Sequence, residues 1–264
     1  MSANMMYTAI AGLNTFSEAL SVISDNIANA NTTGWKSNTV DFGDLVSGLI
    51  ATQNVNTTAQ GVGSTVLGVR SDFGTGSEIQ TGTWSDLMIQ GNGFFCVQDT
   101  SGSKYYTRDG SFQIDTSGFL TDMHGNQVLD SAGNAIQVED PTKTPYPKYS
   151  SYAIDKFGNV TGTDSTGAVT TIAQLGITTF PNPNGLIRDG ENLYTPGSSA
   201  GSPIVGTASS GQAGQLISGA LEGSNVDLTQ QMVNLISYQA DYQANSKSIE
   251  TGNTLLQTVV NLIR

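Results

Sequence analysis

Apolar residues recur every seven positions at both ends of this chain, and no proline interrupts either series. From Met6 one series runs Met6, Leu13, Leu20, Ile27; a second, three positions on, runs Ala9, Phe16, Ile23, Ala30. Together they fill the a and d positions of a heptad over more than three repeats, which predicts an N-terminal helix. It should stop near Asn31-Thr32-Thr33-Gly34, with Gly34 as the left-handed closing residue. At the other end Leu228, Leu235, Tyr242, Ile249, Leu256 and Ile263 stand seven apart, with Met232, Val259 and Val260 in adjoining core positions. Asp227 is the expected N-cap, and Gln230 completes a capping-box pattern. The second helix should span about 36 residues, long for a globular domain and ordinary for a coiled coil.

The faces opposite these stripes carry little charge. Between Met1 and Gly34 the only ionised side chains are Glu18 and Asp25, the remaining polar positions being mostly Ser, Asn and Thr. A solvated coiled coil normally flanks its seam with Glu and Lys. An uncharged polar face can instead be covered by neighbours without desolvating ions. Two arrangements fit: helices packed on several sides in an assembly, or a simple helical hairpin within one chain.

The middle of the chain reads as β. Asp-x-x-Gly occurs six times, at Asp99–Gly102, Asp115–Gly118, Asp122–Gly125, Asp130–Gly133, Asp155–Gly158 and Asp164–Gly167. Asp at the first position and Gly at the fourth fit a type I turn closed by a glycine bulge. Strand-like pieces lie between them: Gly93–Val97, Lys104–Thr107, Ser111–Ile114 and Tyr152–Ile154. Gly91-Asn92-Gly93 reads as a hairpin turn. The predicted fold is therefore α+β, with long terminal helices forming a coiled-coil-like element and a central antiparallel, mainly-β domain. The boundaries expected are a helical assembly segment over 1–50, an extended linker over 51–75, the β domain over 76–205, a second linker over 206–224, and the last helical segment over 225–264. Low-complexity composition marks the linkers at Thr52–Gly68 and Thr195–Gln215, and Pro141–Pro147 reads as a rigid surface connection.

Composition narrows the function. Only 12% of residues are charged, about half the share of an average soluble domain. The net charge is −12, from 22 acidic and 10 basic residues, with no basic cluster; nucleic acid is thereby excluded as a partner, and an anionic membrane surface is disfavoured. The N-terminus lacks a signal-peptide pattern, and no stretch approaches the length of a membrane span. Cys96 is the only cysteine and His124 the only histidine, so neither a disulfide nor a Cys/His metal site is expected. The Asp-x-x-Gly units lack the alternating ligands of a calcium loop. Gly61–Gly68 lacks the Gly-Lys-Ser/Thr ending of a phosphate loop. No nucleophilic triad is legible, and no catalytic residue, cofactor or metal is expected.

The segments Asp25–Lys36, Gln90–Phe95, Tyr106–Phe112, Gly118–Leu120 and Gly219–Leu228, in that order, resemble those of the bacterial flagellar rod and hook axial family. Asp25-Asn-Ile-Ala-Asn-Ala-Asn-Thr-Thr-Gly-Trp-Lys36 is similar to its N-terminal signature, with Asn26, Asn29, Thr33, Gly34, Trp35 and Lys36 at the matching positions. Trp35 stands where Phe is more usual. Gln90–Phe95, Tyr106–Phe112 and Gly118–Leu120 resemble its first β domain. Gly219-Ala-Leu-Glu-Gly-Ser-Asn-Val-Asp-Leu228 resembles its C-terminal signature, through Gly219, Leu221, Ser224, Asn225 and Val226. The resemblance implies a non-enzymatic subunit that polymerises helically, its terminal helices forming an inner tube and its β domain an outer layer. It also implies export through the flagellum's own secretion channel without a cleaved signal, and contacts with adjacent rod, hook or junction proteins. The length is that of a rod-forming member, whereas Thr8–Leu13 and Leu255–Leu262 look more like hook-forming ones. The residues expected at the assembly interface are Leu13, Phe16, Leu20, Ile23, Ile27, Leu228, Leu235, Tyr242, Ile249 and Leu256. A different class, a secreted β-rich binding module oligomerised by its helices, would need a ligand surface around Tyr105, Tyr106 and Tyr146.

Overall fold

Two helices and a set of exclusively antiparallel strand pairs make up the computed structural model, which describes residues 2–46, 61–139 and 149–262. The fold is α+β. Contacts divide it into two units: residues 1–30, 37–72 and 226–264 in one, residues 31–36 and 73–225 in the other. Pro141–Pro147, Tyr146, Ile263 and most of the Thr52–Gly68 stretch lie outside the described residues or at their margin.

The first unit holds helix α1 (Ser2–Ala28) and helix α2 (Leu228–Leu262). Asp227 caps α2 as the sequence predicts: its Oδ1 accepts the N–H groups of Thr229 at 2.9 Å and Gln230 at 3.2 Å. The Gln230 side chain turns forward to Asn234 rather than back to the cap. α1 ends at Ala28, six residues before Gly34, so Gly34 is not its closing residue. Among the described residues this unit also holds a two-stranded ribbon, β1 (Asn38–Val46) against β2 (Gly61–Ser71), with bulges at Asp41/Phe42 and Leu45/Val46. The composition of 61–71 reads as linker, yet it is strand because β1 supplies its hydrogen bonds and α1 covers one side. Thr15 Oγ1 donates to Ser64 O at 3.0 Å, and Phe16, Phe42 and Tyr238 form an aromatic triangle with centroids 5.8–6.1 Å apart.

The second unit is mainly β, with one short 3-10 helix at Pro183–Gly185. Its largest sheet runs, in spatial order, Leu186–Gly190, Leu193–Pro196, Lys104–Thr107, Phe94–Gln98, Gln127–Val128, Leu120–Thr121 and Gln113–Ile114. Gly176–Thr179 joins it beside Phe94–Gln98 and carries Ile204–Thr207 on its outer side. A three-stranded sheet holds Ser151–Ile154, Asn159–Thr163 and Val169–Gln174. Leu87–Gln90 pairs with Gln215–Ser218, and Glu78–Gln80 with Ala220–Glu222. Residues 206–224, read as linker, thus supply two strands whose partners lie more than a hundred residues earlier. Gly91-Asn92-Gly93 is not a hairpin: Leu87–Gln90 and Phe94–Gln98 pair elsewhere, and the turn passes the chain from one sheet to another. The larger core gathers Leu87, Ile89, Phe95, Val97, Leu120, Val128, Leu175 and Ile177; a second packs Phe94, Tyr106, Phe180 and Tyr194 edge to face.

All six Asp-x-x-Gly units form the predicted turns. In each, the Gly N–H donates to the Asp carbonyl at 3.0–3.2 Å, and the Asp Oδ1 accepts two further backbone N–H groups. Side-chain and backbone donors hold the carboxyls of Asp99 and Asp164 below their ordinary pKa. At Asp155 desolvation acts upward but is outweighed by the donors of Asn159, Phe157 and Gly158. A lowered folded pKa contributes stability that is present above the unfolded value and lost as pH falls through the folded one. The melting temperature should therefore hold from pH 7 to pH 5 and drop below about pH 4. In the triple variant D99N/D155N/D164N, melts followed by circular dichroism should start lower at pH 7 and fall less between pH 5 and pH 2. A triple variant that tracks the parent at every pH would remove these carboxylates from the acid response.

Candidate functional site

The two helices meet along a seam of small residues. α1 buries Ala9, Gly12, Thr15, Ala19, Ile23 and Asn26, spaced three or four apart on one face. Met5 and Met6 lie against Gly252, Gly12 against Asn245, Phe16 against Tyr238, and Asn26 against Gln231, so the helices run antiparallel. A Cβ at Gly12 would come within 3.0 Å of Asn245, which shows how closely the axes approach. Leu13, Phe16, Leu20 and Ile27 flank this seam half-buried, and Ile23 is buried within it.

α2 turns a largely polar face toward α1: Gln231, Asn234, Tyr238, Asp241, Asn245 and Ser248 are its half-covered positions, alongside Leu235 and Ile249. The rest of its heptad stripe stays open in the single chain. Leu228, Tyr242 and Leu256 are each 40% exposed, Met232 52% and Ile236 67%, and Leu255, Val259, Val260 and Leu262 are exposed as well. A helix of 35 residues with only Asp241, Lys247 and Glu250 ionised thus shows water a long apolar row. Exposed apolar surface of this extent is uncommon on a monomer and is often an interaction surface.

Most of the signature residues make a specific contact. Asn26 is fully buried and imitates a strand partner: its Nδ2 donates to Asn38 O at 2.7 Å, and its Oδ1 accepts Asn38 N–H at 2.8 Å. Asn29 Nδ2 donates to Asp25 O at 2.9 Å, closing the last turn. In the β unit, Thr33 O accepts Asn192 Nδ2 at 2.9 Å, and Gly34 N–H donates to Glu222 O at 2.7 Å. Trp35 is buried, with the Arg188 guanidinium 3.5 Å above its ring. Lys36 is buried completely. Its Nζ lies 2.6 Å from Glu222 Oε1 and 2.7 Å from Gly74 O. Glu222 further accepts Gly76 N–H at 2.9 Å and faces Arg108 Nη1 at 3.5 Å. Burial pulls the Arg108 pKa below the usual guanidinium value, with Glu222 and Tyr194 pulling the other way.

The C-terminal signature meets this cluster. Gly219 O accepts Thr81 and Gly82 N–H, Leu221 pairs with Ile79, and Asn225 Nδ2 donates to Gly74 O at 3.3 Å. Ser224 and Val226 are half-buried. Sequence reasoning did not single out Glu222 or Arg108. The available signal was an ionised residue between Leu221 and Gly223, in a segment otherwise uncharged until Asp227.

Groups suited to chemistry are dispersed or buried. Cys96 is buried and its thiol is pushed up to about 11 by desolvation. Tyr106 is in the core, its hydroxyl raised to about 12, and Tyr105 packs against the core. Among the described residues no three His, Cys, Asp or Glu side chains gather as metal ligands, and no helix is long and apolar enough to cross a membrane.

Three family models match the chain. They are the flagella basal body rod protein over residues 6–36, the flagellar hook protein FlgE/F/G D1 domain over 88–162, and the flagellar basal body rod FlgEFG protein C-terminal over 217–262. The flagellar basal-body rod protein FlgG of Bacillus subtilis is 38% identical over 268 residues, covering 98% of each chain. FlgG of Borreliella burgdorferi is 32% identical, again over 98% of each. The flagellar hook protein FlgE of Salmonella typhimurium is 25% identical over 406 aligned residues, covering 96% of this chain and 98% of its own.

Proposed function

This chain belongs to the flagellar rod and hook family and is a structural axial subunit of the bacterial flagellum; we propose that it polymerises helically to form the distal rod. The observation that carries the polymer reading is the row Leu228, Met232, Ile236, Tyr242 and Leu256 on α2, which one chain leaves open to water. Neighbouring copies would cover it, completing the heptad contacts as a coiled-coil-like inner tube. Burying this surface in a copy requires little desolvation of charge, since few ions interrupt it. Rod is favoured over hook by alignment length. The FlgG alignments run over 262–269 positions and cover 95–98% of this chain, whereas the hook alignment stretches to 406 positions and leaves much of the hook protein without a counterpart. The family is structural, so no catalytic residue is assigned. Neighbouring rod, hook or junction proteins, and passage through the flagellar export apparatus, complete the proposed set of partners.

The double variant M232D/I236D tests this reading. Both side chains are exposed in the single chain, so the purified monomer should melt within a few degrees of the parent. In cells the variant should be stable but absent from isolated basal bodies, because two unpaired carboxylates buried at each repeat cost several kcal/mol per subunit. Normal incorporation and swimming would show that this face of α2 is not an assembly surface.

A further inference from the structure

Inside the β unit Lys36 and Arg108 share the Glu222 carboxylate unequally. Lys36 Nζ holds Glu222 Oε1 at 2.6 Å, while Arg108 Nη1 stands 3.5 Å from Oε2, beyond the usual length of a charged hydrogen bond. Arg108 is 1% exposed, and among the described residues its Nε has no hydrogen-bond partner. Its guanidinium carbon lies 5.1 Å from the centroid of the Phe94 ring, a contact that replaces only part of the lost hydration. A buried guanidinium with an idle N–H is under-compensated, and each such group calls for an explanation.

The same side chain lines a hollow of about 180 Å³. Phe73, Phe94, Phe180 and Pro181 make its apolar walls, and Asn92 and Gln212 bring side-chain amides to it. Phe73 and Phe180 both meet Phe94 edge to face, with centroids 5.3 and 5.9 Å away, so the walls brace one another. Among the described residues no Asp or Glu lines the hollow, and Arg108 sets its sign although the whole chain carries −12.

Aromatic walls, two neutral amides and one buried charge are the make-up of a small-molecule site. The charge selects an anion, and the planar guanidinium matches a carboxylate. Inorganic phosphate would need more donors than one shared guanidinium and two amides, and it gains nothing from the rings. We propose that this hollow binds a small organic carboxylate, its oxygens held by Arg108 with Asn92 and Gln212, its apolar body lying between the Phe73 and Phe180 rings. The ligand gives Arg108 a carboxylate of its own, where Glu222 is otherwise shared with Lys36. Because its contacts come from sequence-distant segments of the β unit, at Phe73, Asn92, Arg108, Phe180 and Gln212, binding stabilises that unit in step with ligand concentration. The inference goes beyond the axial-subunit reading and does not depend on it.

The test titrates the purified full chain with benzoate by calorimetry, using benzamide as the neutral counterpart and inorganic phosphate as the competing anion. The expected result is saturable binding of one benzoate per chain, with benzamide and phosphate each weaker by about tenfold or more. Melts should rise as benzoate is added. Gln212 is exposed, so Q212E should fold as the parent does; its new carboxylate competes for Arg108 and should weaken benzoate by about tenfold or more. No saturable benzoate binding overturns the proposal. Equal binding of benzamide would reduce the hollow to an apolar gap, and equal binding of phosphate to a general anion site; either result also overturns it. So does undiminished benzoate binding by Q212E. None of these outcomes touches incorporation into basal bodies, so failure here leaves the axial reading standing.

Discussion

Gly34→Ala should unfold the β unit or leave it barely stable, although it adds a single methyl group. Gly34 sits at φ +68, where an L side chain is strained by about 1–3 kcal/mol. The added Cβ would also lie 2.6 Å from Asp109 N and 2.8 Å from the Arg108 carbonyl carbon, backbone atoms that cannot swing away. Overpacking of that kind adds about 1–3 kcal/mol more. Shifting the backbone to relieve the clash would break the bond from Gly34 N–H to Glu222 O. Gly125→Ala is the matched control, with φ +87 and open space around the new atom, so it should show the strain alone. Denaturant melts of the two variants should differ by roughly 2 kcal/mol or more. Equal losses would mean that the close approach at residue 34 is relieved at little cost.

Removal of the Glu222 carboxylate should be nearly as damaging. In Glu222→Ala, Lys36 Nζ, Arg108 Nη1 and Gly76 N–H all lose the same acceptor inside a site with almost no solvent. Breaking a buried pair from one side costs about 3–5 kcal/mol, which for a unit of this size lowers the melting temperature by roughly 6–20 °C. Lys36→Met should cost less, because Glu222 then keeps Arg108 and the Gly76 N–H. A double-mutant cycle of K36M and E222A, read by denaturant unfolding, should show coupling of about 0.5–3 kcal/mol. Additive losses would make the 2.6 Å contact energetically idle and leave Lys36 a packing residue.

These two sites lie where the sequence was least informative. The helices were visible because their period is local, and the Asp-x-x-Gly turns because each is complete within five residues. The Lys36–Glu222 pair spans 186 positions, and no local pattern marks it. The strands at Gly61–Ser71 and Gln215–Ser218 were hidden for a related reason. The first is broken up by three glycines and the second is only four residues long, and the order of both comes from partners at Asn38–Val46 and Leu87–Gln90. Gly34 was rightly marked for a left-handed backbone but assigned to the end of the helix. Its requirement comes from Arg108 and Asp109, which the chain brings against it from more than seventy residues away.

The heptads were legible, whereas their division of labour was not. Periodicity shows that Leu228, Tyr242 and Leu256 lie on one side of a helix, and it does not say whether α1 or another molecule covers them. The answer depends on α1 presenting Ala9, Gly12, Thr15 and Ala19 to a mostly polar face of α2. That pairing leaves the apolar row open in the single chain, and the proposed polymer is what would cover it.

The most direct test is electron microscopy of hook–basal bodies from cells that lack this chain. A distal-rod subunit predicts a rod that stops short within the envelope and bears no hook, with full structures restored when the chain is supplied from a plasmid. A complete rod without a hook would reassign the chain to the hook, and normal flagella would contradict the account.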